Sequence, residues 1–267
     1  VVFCVASTSD RVGRMGPALD SVIAQSLKPD TIYVSLPSSA PIPAFLEAVT
    51  VITHPDSDDV GPLHKLIDCA ARESDPDATI LTFDDDMVVD PGVAQRLFEA
   101  SGEHPGAAVG LSGWDAFAML GREPAVLLPG EFWGQHLENG LLPRSVDVLE
   151  GYAGVAYRRG DLDLDALRDV QGDARYADDV WISGHLARRG VERVVVALRK
   201  GLPPDAAGIP FDSMFQDIWR QVLPQTADTS LKGHPDKARR NRDTARMFRD
   251  VFVERGGGGA RGGGGRR

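Results

Sequence analysis

The sequence predicts an α/β domain built around a mostly parallel β-sheet. Short apolar runs alternate with amphipathic stretches through the first half of the chain, and this spacing is typical of βαβ units. One apolar run ends abruptly in three adjacent acids, as expected where a buried strand reaches the ligand-binding edge of such a sheet. The length of 267 residues, of which 42% are hydrophobic, suits one large domain with its own core.

The first half of the chain predicts four strands that alternate with helices. Residues 1–6 form an unbroken apolar run, and the later runs are bounded by Pro, Asp or Gly. Pro62 and Pro91 each fall in the first turn of a predicted helix, where the missing N–H costs no hydrogen bond. The expected strands are 1–6, 31–36, 49–53 and 79–83, and the expected helices are 15–26, 43–48, 61–72 and 91–100.

The second half is less regular. Residues 113–143 are rich in aromatic residues and glycine without a sustained period, and the Gly/Arg tail 255–267 is expected to be disordered because it cannot bury apolar surface. The patterns predict one domain over residues 1–254 that ends in C-terminal helices. The expected strands are 107–111, 146–149, 152–157 and 191–197, and the expected helices are 177–189, 211–222 and 236–253.

The charge is unevenly distributed. The formal net charge is −10, yet the tail holds four Arg and no acid, so the rest of the chain has 25 basic and 39 acidic residues. A body this acidic is a poor general binder of nucleic acid or of an anionic membrane, so we expect no nucleic-acid partner. An acidic protein that binds an anionic substrate needs local cations or a metal ion.

Cys4 and Cys69 are the two cysteines of the chain, and each has mostly apolar neighbours. We expect two reduced thiols in the core, because two cysteines do not make a disulfide scaffold. No apolar run approaches the roughly 18 residues of a membrane span. A cytoplasmic or membrane-peripheral location is therefore favoured, and the start at Val1 leaves room for a targeting segment that has been removed.

The strongest chemical signal is the run Asp84-Asp85-Asp86 after the apolar run 79–83. Three adjacent carboxylates repel one another unless a cation neutralises them. Oxygen-only ligands on a short loop suit Mg²⁺ or Mn²⁺, which bind one or two carboxylates together with phosphate oxygens of a substrate. A solvated acidic turn is the alternative interpretation.

Three further segments add to this signal. Asp178-Asp179 opens a predicted helix, where the helix dipole favours negative charge and one acid is free to act as a general base. Lys65 follows Gly61-Pro62 in the first turn of a helix, an arrangement that predicts an anion site. Gly151 and Gly154 flank Tyr152 near a strand start, where glycine permits close backbone approach. The alternatives are helix capping for Asp178-Asp179, a solubilising surface role for Lys65 and a β-bulge at Gly151 and Gly154.

These four segments, in this order, resemble nucleotide-sugar glycosyltransferases of the GT-A fold, most closely the bacterial and algal relatives of glycosyltransferase family 2. In that group a Gly-Pro-x-x-Lys helix precedes a strand that ends in Asp-x-Asp, and a Gly-rich strand and an acidic pair opening a helix follow. The resemblance covers residues 1–196. It implies a Rossmann-like domain with a nucleotide-binding half, 1–112, and an acceptor half, 113–254, and a hexosyltransferase role in carbohydrate biosynthesis.

The resemblance also implies roles for individual residues. Asp86 would hold Mn²⁺ or Mg²⁺ on the diphosphate of a UDP- or GDP-sugar, and Asp84 or Asp85 would reach the ribose or a water on the metal. Asp179 would be the general base that activates a hydroxyl of a carbohydrate or glycoconjugate acceptor, with inversion at the anomeric carbon. Supporting roles fall to Asp178 at the acceptor or helix, to Ser7, Thr8, Arg11 and Lys65 at the nucleotide, and to His234 as a late metal ligand.

The sequence departs from the family pattern in two places. Residues 35–39 carry no acid, whereas family members commonly have one there that reads the nucleobase. The Gln-x-x-Arg-Trp motif of processive synthases is missing from the sequence, so a processive polysaccharide synthase is not expected.

Three other interpretations remain. Asp84-Asp85-Asp86-Met87-Val88 also fits the Asp-x-Asp-x-Val nucleophile motif of haloacid-dehalogenase-type phosphatases, although that family needs a Lys between its two acidic motifs, and the chain has none from Met87 to Ala177. A sugar nucleotidyltransferase shares the broad fold, but its N-terminal loop is poorly matched at 11–16. An inactive, carbohydrate-binding relative would retain the acids without turnover.

Overall fold

The computed structural model describes residues 1–116, 143–197, 219–221 and 235–252, and at 219–221 only the backbone. Within these ranges the chain forms one eight-stranded sheet and two small two-stranded sheets. The strands are β1 (Val2–Ala6), β2 (Thr31–Pro37), β3 (Thr50–His54), β4 (Thr79–Thr82), β5 (Met87–Val89), β6 (Ala107–Gly110), β7 (Gly113–Trp114), β8 (Arg144–Ser145), β9 (Val148–Leu149), β10 (Val155–Arg158), β11 (Glu192–Val195) and β12 (Trp219–Gln221).

Helices cover both faces of the large sheet, and 3₁₀ turns at Ala44–Ala48, Gly61–Leu63 and Gly151–Ala153 join some of the elements. On one face α2, α5 and α6 pack over a buried cluster that includes Leu66, Trp181 and Phe248. On the other face α1 and α3 pack over a second cluster. The helices are α1 (Gly16–Ile23), α2 (His64–Ala70), α3 (Val93–Glu103), α4 (Leu164–Arg168), α5 (Asp178–Arg188) and α6 (Lys237–Met247).

The order of strands in the large sheet is β3-β2-β1-β4-β10-β6-β11-β8. The first four strands are parallel, and β6 and β11 are parallel to each other, so the predicted mostly parallel α/β sheet is confirmed. Strand β10 runs antiparallel between β4 and β6, with Val155 opposite Thr82. The start of β10 therefore lies beside the end of β4, at the edge where β1 to β4 end, which is called the carboxyl edge below.

The two cysteines correct the expectation of free thiols. Cys4 in β1 and Cys69 in α2 are both buried, as expected, but they form a disulfide, with their Cα atoms 6.1 Å apart. That separation lies within the usual range for a disulfide. The strand and the helix pack directly on each other, and sequence spacing alone does not reveal this proximity.

Several predicted elements differ from the observed ones. The helix expected at 211–222 is wrong at its end, because Trp219–Gln221 is strand β12 paired with β5, while 211–218 lies outside the described residues. The expected strand 152–157 begins as a 3₁₀ turn and becomes extended only after Gly154, whose φ of +87° suits glycine. The helix expected at 236–253 ends at Met247. No helix in the described ranges is long and apolar enough to cross a membrane.

Candidate active site

Each carboxylate of the run 84–86 faces a cation at the carboxyl edge. Lys65 Nζ lies 2.8 Å from Asp84 Oδ1. Arg11 binds Asp85 through Nε, at 3.1 Å, and through Nη2, and the same Nη2 lies 3.1 Å from Asp86 Oδ2. The repulsion among three adjacent acids is thus offset in part by side chains from two other elements.

Asp85 is the most enclosed of the three acids. Its Oδ2 accepts a hydrogen bond from Ser7 Oγ at 2.5 Å, in addition to the Arg11 contacts. Burial raises the pKa of Asp85 to about 6, and the nearby guanidinium only partly opposes this rise. Burial and Asp84 likewise raise the pKa of Asp86. Asp84 and Asp86 keep more surface than Asp85, so they are the better placed pair for an incoming cation.

Lys65 brings the two acidic segments together. It lies in the first turn of α2, is only 6% exposed, and places Nζ 2.8 Å from Asp84 Oδ1 and 3.1 Å from Asp178 Oδ2. Burial lowers the pKa of Lys65, but Asp178, Asp84 and Asp179 outweigh burial, and the pKa stands well above its usual value. The ammonium therefore stays charged, and it ties the end of β4 to the start of α5.

Asp179 lies next to this ion pair with part of its surface exposed. Its Oδ1 accepts a hydrogen bond from the Gly151 backbone N–H at 2.9 Å. Burial, followed by the charge of Asp178, raises the pKa of Asp179 well above its usual value, against the opposing effect of Lys65. A raised pKa makes a carboxylate a stronger proton acceptor.

Gly151 is needed at its position because the site closes tightly around it. A Cβ atom there would lie 2.7 Å from Lys65 Nζ and 3.0 Å from Asp179 Oδ1. The close backbone approach predicted for this segment is therefore made to the Lys65 ammonium. Beside it, Glu150 accepts a hydrogen bond from Ser112, whose Oγ is 3.2 Å from Tyr152 Oη.

The described part of this cluster has a surplus of negative charge. Its carboxylates outnumber its two cations, Arg11 and Lys65, by six to two, and they are Asp84, Asp85, Asp86, Glu150, Asp178 and Asp179. Carboxylate oxygens are the donors that Mg²⁺ and Mn²⁺ prefer. The donor set at Asp84 and Asp86 therefore fits a divalent cation.

Most of the residues predicted from the sequence meet in this cluster, and they are Ser7, Arg11, Lys65, Asp84, Asp85, Asp86, Asp178 and Asp179. Thr8 does not join them by hydrogen bonding, because its exposed hydroxyl donates to Asp10. His234, predicted as a late metal ligand, lies outside the described residues.

Sequence reasoning missed a second buried polar cluster, formed by His54 at the end of β3 and by His64 and Asp68 in α2. The i,i+4 spacing of a histidine and an acid on one predicted helix was an available signal. Asp68 Oδ2 lies 2.8 Å from His64 Nδ1 and also accepts from Ser35 Oγ. Burial alone would raise the pKa of Asp68, but these hydrogen bonds outweigh burial and lower it.

These three side chains carry metal-ligand atoms within 4.8 Å of one another, but their arrangement does not fit a metal ion. The two imidazole rings stack with centroids 3.4 Å apart and planes 7° apart. A ring nitrogen binds a metal in the plane of its ring, so two parallel stacked rings cannot both point at one ion. The other nitrogen of His64 is already 2.8 Å from the Asp58 carbonyl oxygen. The cluster anchors the start of α2 to β2 and to the loop after β3.

Comparisons with known proteins support the fold. The chain is similar to a solved structure of glucosyl-3-phosphoglycerate synthase from Mycobacterium tuberculosis in complex with Mn²⁺, uridine-diphosphate-glucose and phosphoglyceric acid. The two share 14% sequence identity and superpose with a TM-score of 0.53, over 94% of this chain and 79% of the other. No protein-family model and no curated protein sequence matches the chain. The likeness shows a shared α/β fold of the GT-A type that the sequence predicted.

Proposed function

We propose that the protein is a metal-dependent glycosyltransferase that moves a sugar from a nucleotide-sugar donor to an acceptor hydroxyl. One observation carries this proposal: Lys65 holds Asp84 and Asp178 within 3.1 Å of one ammonium, although the two acids are far apart in the sequence. An acidic strand end and an acidic helix start thereby meet at one ammonium at the carboxyl edge. Such a transfer needs both a site for a charged leaving group and a base for the attacking hydroxyl.

The donor would bind at the acids after β4. Asp84 and Asp86 are the residues that would hold Mn²⁺ or Mg²⁺, which supplies a Lewis acid that offsets charge on the leaving nucleoside diphosphate. Lys65 contributes a fixed positive charge beside Asp84, and Arg11 contributes a guanidinium beside Asp86. In this proposal, both cations would offset the negative charge that develops as the bond to the sugar breaks.

Asp179 would take the proton of the acceptor hydroxyl. The Gly151 N–H holds Oδ1 and orients the carboxylate, which leaves Oδ2 for the proton. Asp178 instead pairs with Lys65 and fixes the first turn of α5. A single base that serves direct attack on the anomeric carbon gives inversion of configuration, and inversion is the outcome we propose.

The similarity in fold supports the choice of donor. The neighbour of known structure holds Mn²⁺ and uridine-diphosphate-glucose, so a UDP-sugar is the first donor to test, and GDP-sugars are the second. The acceptor is proposed to be a carbohydrate or glycoconjugate hydroxyl. Phosphoglyceric acid, which the neighbour holds, belongs in the same acceptor panel.

A thermal-shift panel tests the donor site. The protein is melted with UDP-, GDP-, CMP- and dTDP-sugars, each with and without Mn²⁺, and Asp86→Ala is melted in parallel. We expect stabilisation that needs both the metal and one nucleotide and is lost in the variant, because ligands that bind only the folded state raise its stability.

Two other results would redirect the proposal. No shift with any nucleotide, together with Mg²⁺-dependent hydrolysis of a phosphate ester, would favour the phosphatase interpretation, in which Asp84 is a nucleophile. A metal-dependent shift without turnover over a broad acceptor panel would favour an inactive relative that binds the donor only.

A further inference from the structure

Arg11 contacts two carboxylates in different ways. Its Nε lies 3.1 Å from Asp85 Oδ2, and its Nη2 binds Asp85 Oδ1, so the guanidinium holds Asp85 with two nitrogens. The same Nη2 reaches Asp86 Oδ2 at 3.1 Å. Arg11 lies in the loop after β1, so its backbone belongs to a different segment from that of the acidic run 84–86.

Of the two contacts, we expect the one between Arg11 and Asp85 to persist when ligands bind. Asp85 is only 6% exposed and is also held by Ser7, so loss of the guanidinium would leave a buried carboxylate without a counter-ion. Asp86 is the more accessible of the two partners, since 14% of its side chain is exposed against 8% for Asp85. An incoming cation can therefore reach the Asp86 carboxylate, whereas Ser7 and Arg11 enclose that of Asp85.

In this arrangement a divalent cation must compete with Arg11 for the Asp86 carboxylate. The carboxylate that would bind it already pairs with the Arg11 guanidinium, and two positive groups close together repel each other. A bound nucleoside diphosphate would reduce the repulsion between the cation and Arg11, because its phosphate oxygens can pair with both positive groups. Arginine is well suited to such oxygens through its fork of N–H donors.

We propose that Arg11 is a positioning residue that couples metal binding to nucleotide binding. Without nucleotide, its Nη2 competes with the divalent cation for Asp86. When a nucleoside diphosphate binds, a phosphate oxygen replaces Asp86 at Nη2, while Nε and Nη2 keep their contacts with Asp85. This inference rests on the proposed function, since it assumes a metal-dependent nucleotide site at the acids after β4.

The test is a Mn²⁺ titration followed by electron paramagnetic resonance of free Mn²⁺, with and without UDP or GDP. The parent is compared with Arg11→Lys, which keeps one charge for Asp85 but lacks the second arm, and with Arg11→Gln. Arg158→Lys is the matched control, because Arg158 forms an exposed pair with Asp77 at the opposite end of β4. Circular dichroism checks that each variant is folded.

We expect Arg11→Lys to bind Mn²⁺ alone several-fold more tightly than the parent. The factor by which nucleotide improves Mn²⁺ affinity is expected to fall in the variant, from about tenfold or more to about threefold, within the range of ordinary coupling energies. Arg158→Lys is expected to match the parent in both measurements.

Two kinds of result would overturn the inference, and they differ in whether the proposed function also fails. If Mn²⁺ affinity and its improvement by nucleotide are the same in the parent and in both Arg11 variants, Arg11 does not couple the ligands, although the proposed function stands. If the parent binds neither UDP nor GDP in the presence of Mn²⁺, the proposed function and this inference both fail. The parent titration needs no substitution: if UDP and GDP bind but do not improve Mn²⁺ affinity in the parent, the coupling is overturned even if both variants fail to fold.

Discussion

The two acidic segments of the site carry similar residues in different surroundings. Asp84, Asp85 and Asp86 follow a strand and have two cations from separate elements, Arg11 and Lys65. Asp178 and Asp179 begin a helix, and the Lys65 ammonium and the Gly151 N–H are the partners that hold them. The strand-end acids are thus more fully compensated than the helix-start acids.

This difference separates two kinds of chemistry. At the strand end, the guanidinium of Arg11 opposes the rise in pKa that burial causes at Asp85 and Asp86, and this favours the charged form that a metal site requires. At the helix start, burial and the charge of Asp178 raise the pKa of Asp179 well above its usual value against Lys65, and this favours proton uptake, as a general base requires. Lys65 contacts an acid of each segment, so the charge balance of both segments depends on this one side chain.

The largest expected effect follows from removing the proposed base, Asp179, at the helix start. We expect Asp179→Asn to lower kcat of sugar transfer by about 10²- to 10⁴-fold, because an amide cannot take the acceptor proton. Nucleotide binding, measured by thermal shift, is expected to persist. Asp178→Asn serves as the comparison and is expected to affect stability more than kcat, since Asp178 pairs with Lys65. Full transfer activity in Asp179→Asn would disprove the assignment.

Removing the shared cation should disturb both segments at once. We expect Lys65→Met to lower the free energy of unfolding by about 3–5 kcal/mol, because buried carboxylates lose their counter-ion while the apolar stem is kept. Urea unfolding measures the change. Lys28→Met is the matched control at an exposed lysine and is expected to change stability by less than about 0.5 kcal/mol. Equal losses in the two variants would contradict a bridging role for Lys65.

A methyl group at position 151 should displace the same ammonium. We expect Gly151→Ala to lower the free energy of unfolding by about 1 kcal/mol, because its Cβ would lie 2.7 Å from Lys65 Nζ. The loss is expected to shrink when Lys65→Met is already present, a non-additivity that a double-mutant cycle measures. Gly102→Ala is the control, since a Cβ there meets nothing within 4 Å. Additive losses would show that the ammonium is not what the methyl group displaces.

The smallest effect concerns the pH dependence of stability in metal-free buffer. Folding raises the pKa of Asp85 from 3.8 to about 6, so the folded chain binds this proton more tightly than the unfolded chain. The contribution of Asp85 to stability is therefore complete below pH 3.8 and is lost as pH rises through 6. We expect Asp85→Asn to remove this component when urea unfolding is compared at pH 4, 5, 6 and 7. Exposed Asp20→Asn is expected to leave the parent curve unchanged, and a similar curve in both variants would argue against the shift.

Much of the site could be predicted because sequence position fixes where strands and helices begin and end. An acidic run after a buried strand must lie at the carboxyl edge of a parallel sheet, and the pair at 178–179 must lie at a helix start. The burial of Lys65 between these acids was less accessible to prediction. It depends on β10 entering antiparallel beside β4 and placing Gly151 next to the ammonium.

Other features depend on tertiary contacts that local patterns do not encode. The pairing of Cys4 with Cys69 requires α2 to pack on β1, and the stacking of His54 on His64 requires the same helix to meet the end of β3. The strand at 219–221 was mistaken for a helix because its conformation is set by pairing with β5 rather than by its own residues.

The disulfide between Cys4 and Cys69 closes the chain from residue 4 to residue 69 into a covalent ring. The bond joins residues 65 positions apart, and the ring includes α1, β2, β3, α2 as far as Cys69 and the exposed segment 55–57. A single protease cut in that segment therefore yields two peptides that travel together in non-reducing electrophoresis and separate only after reduction. Ser7 and Arg11, which follow β1, and Lys65 in α2 would remain parts of one molecule after such a cut.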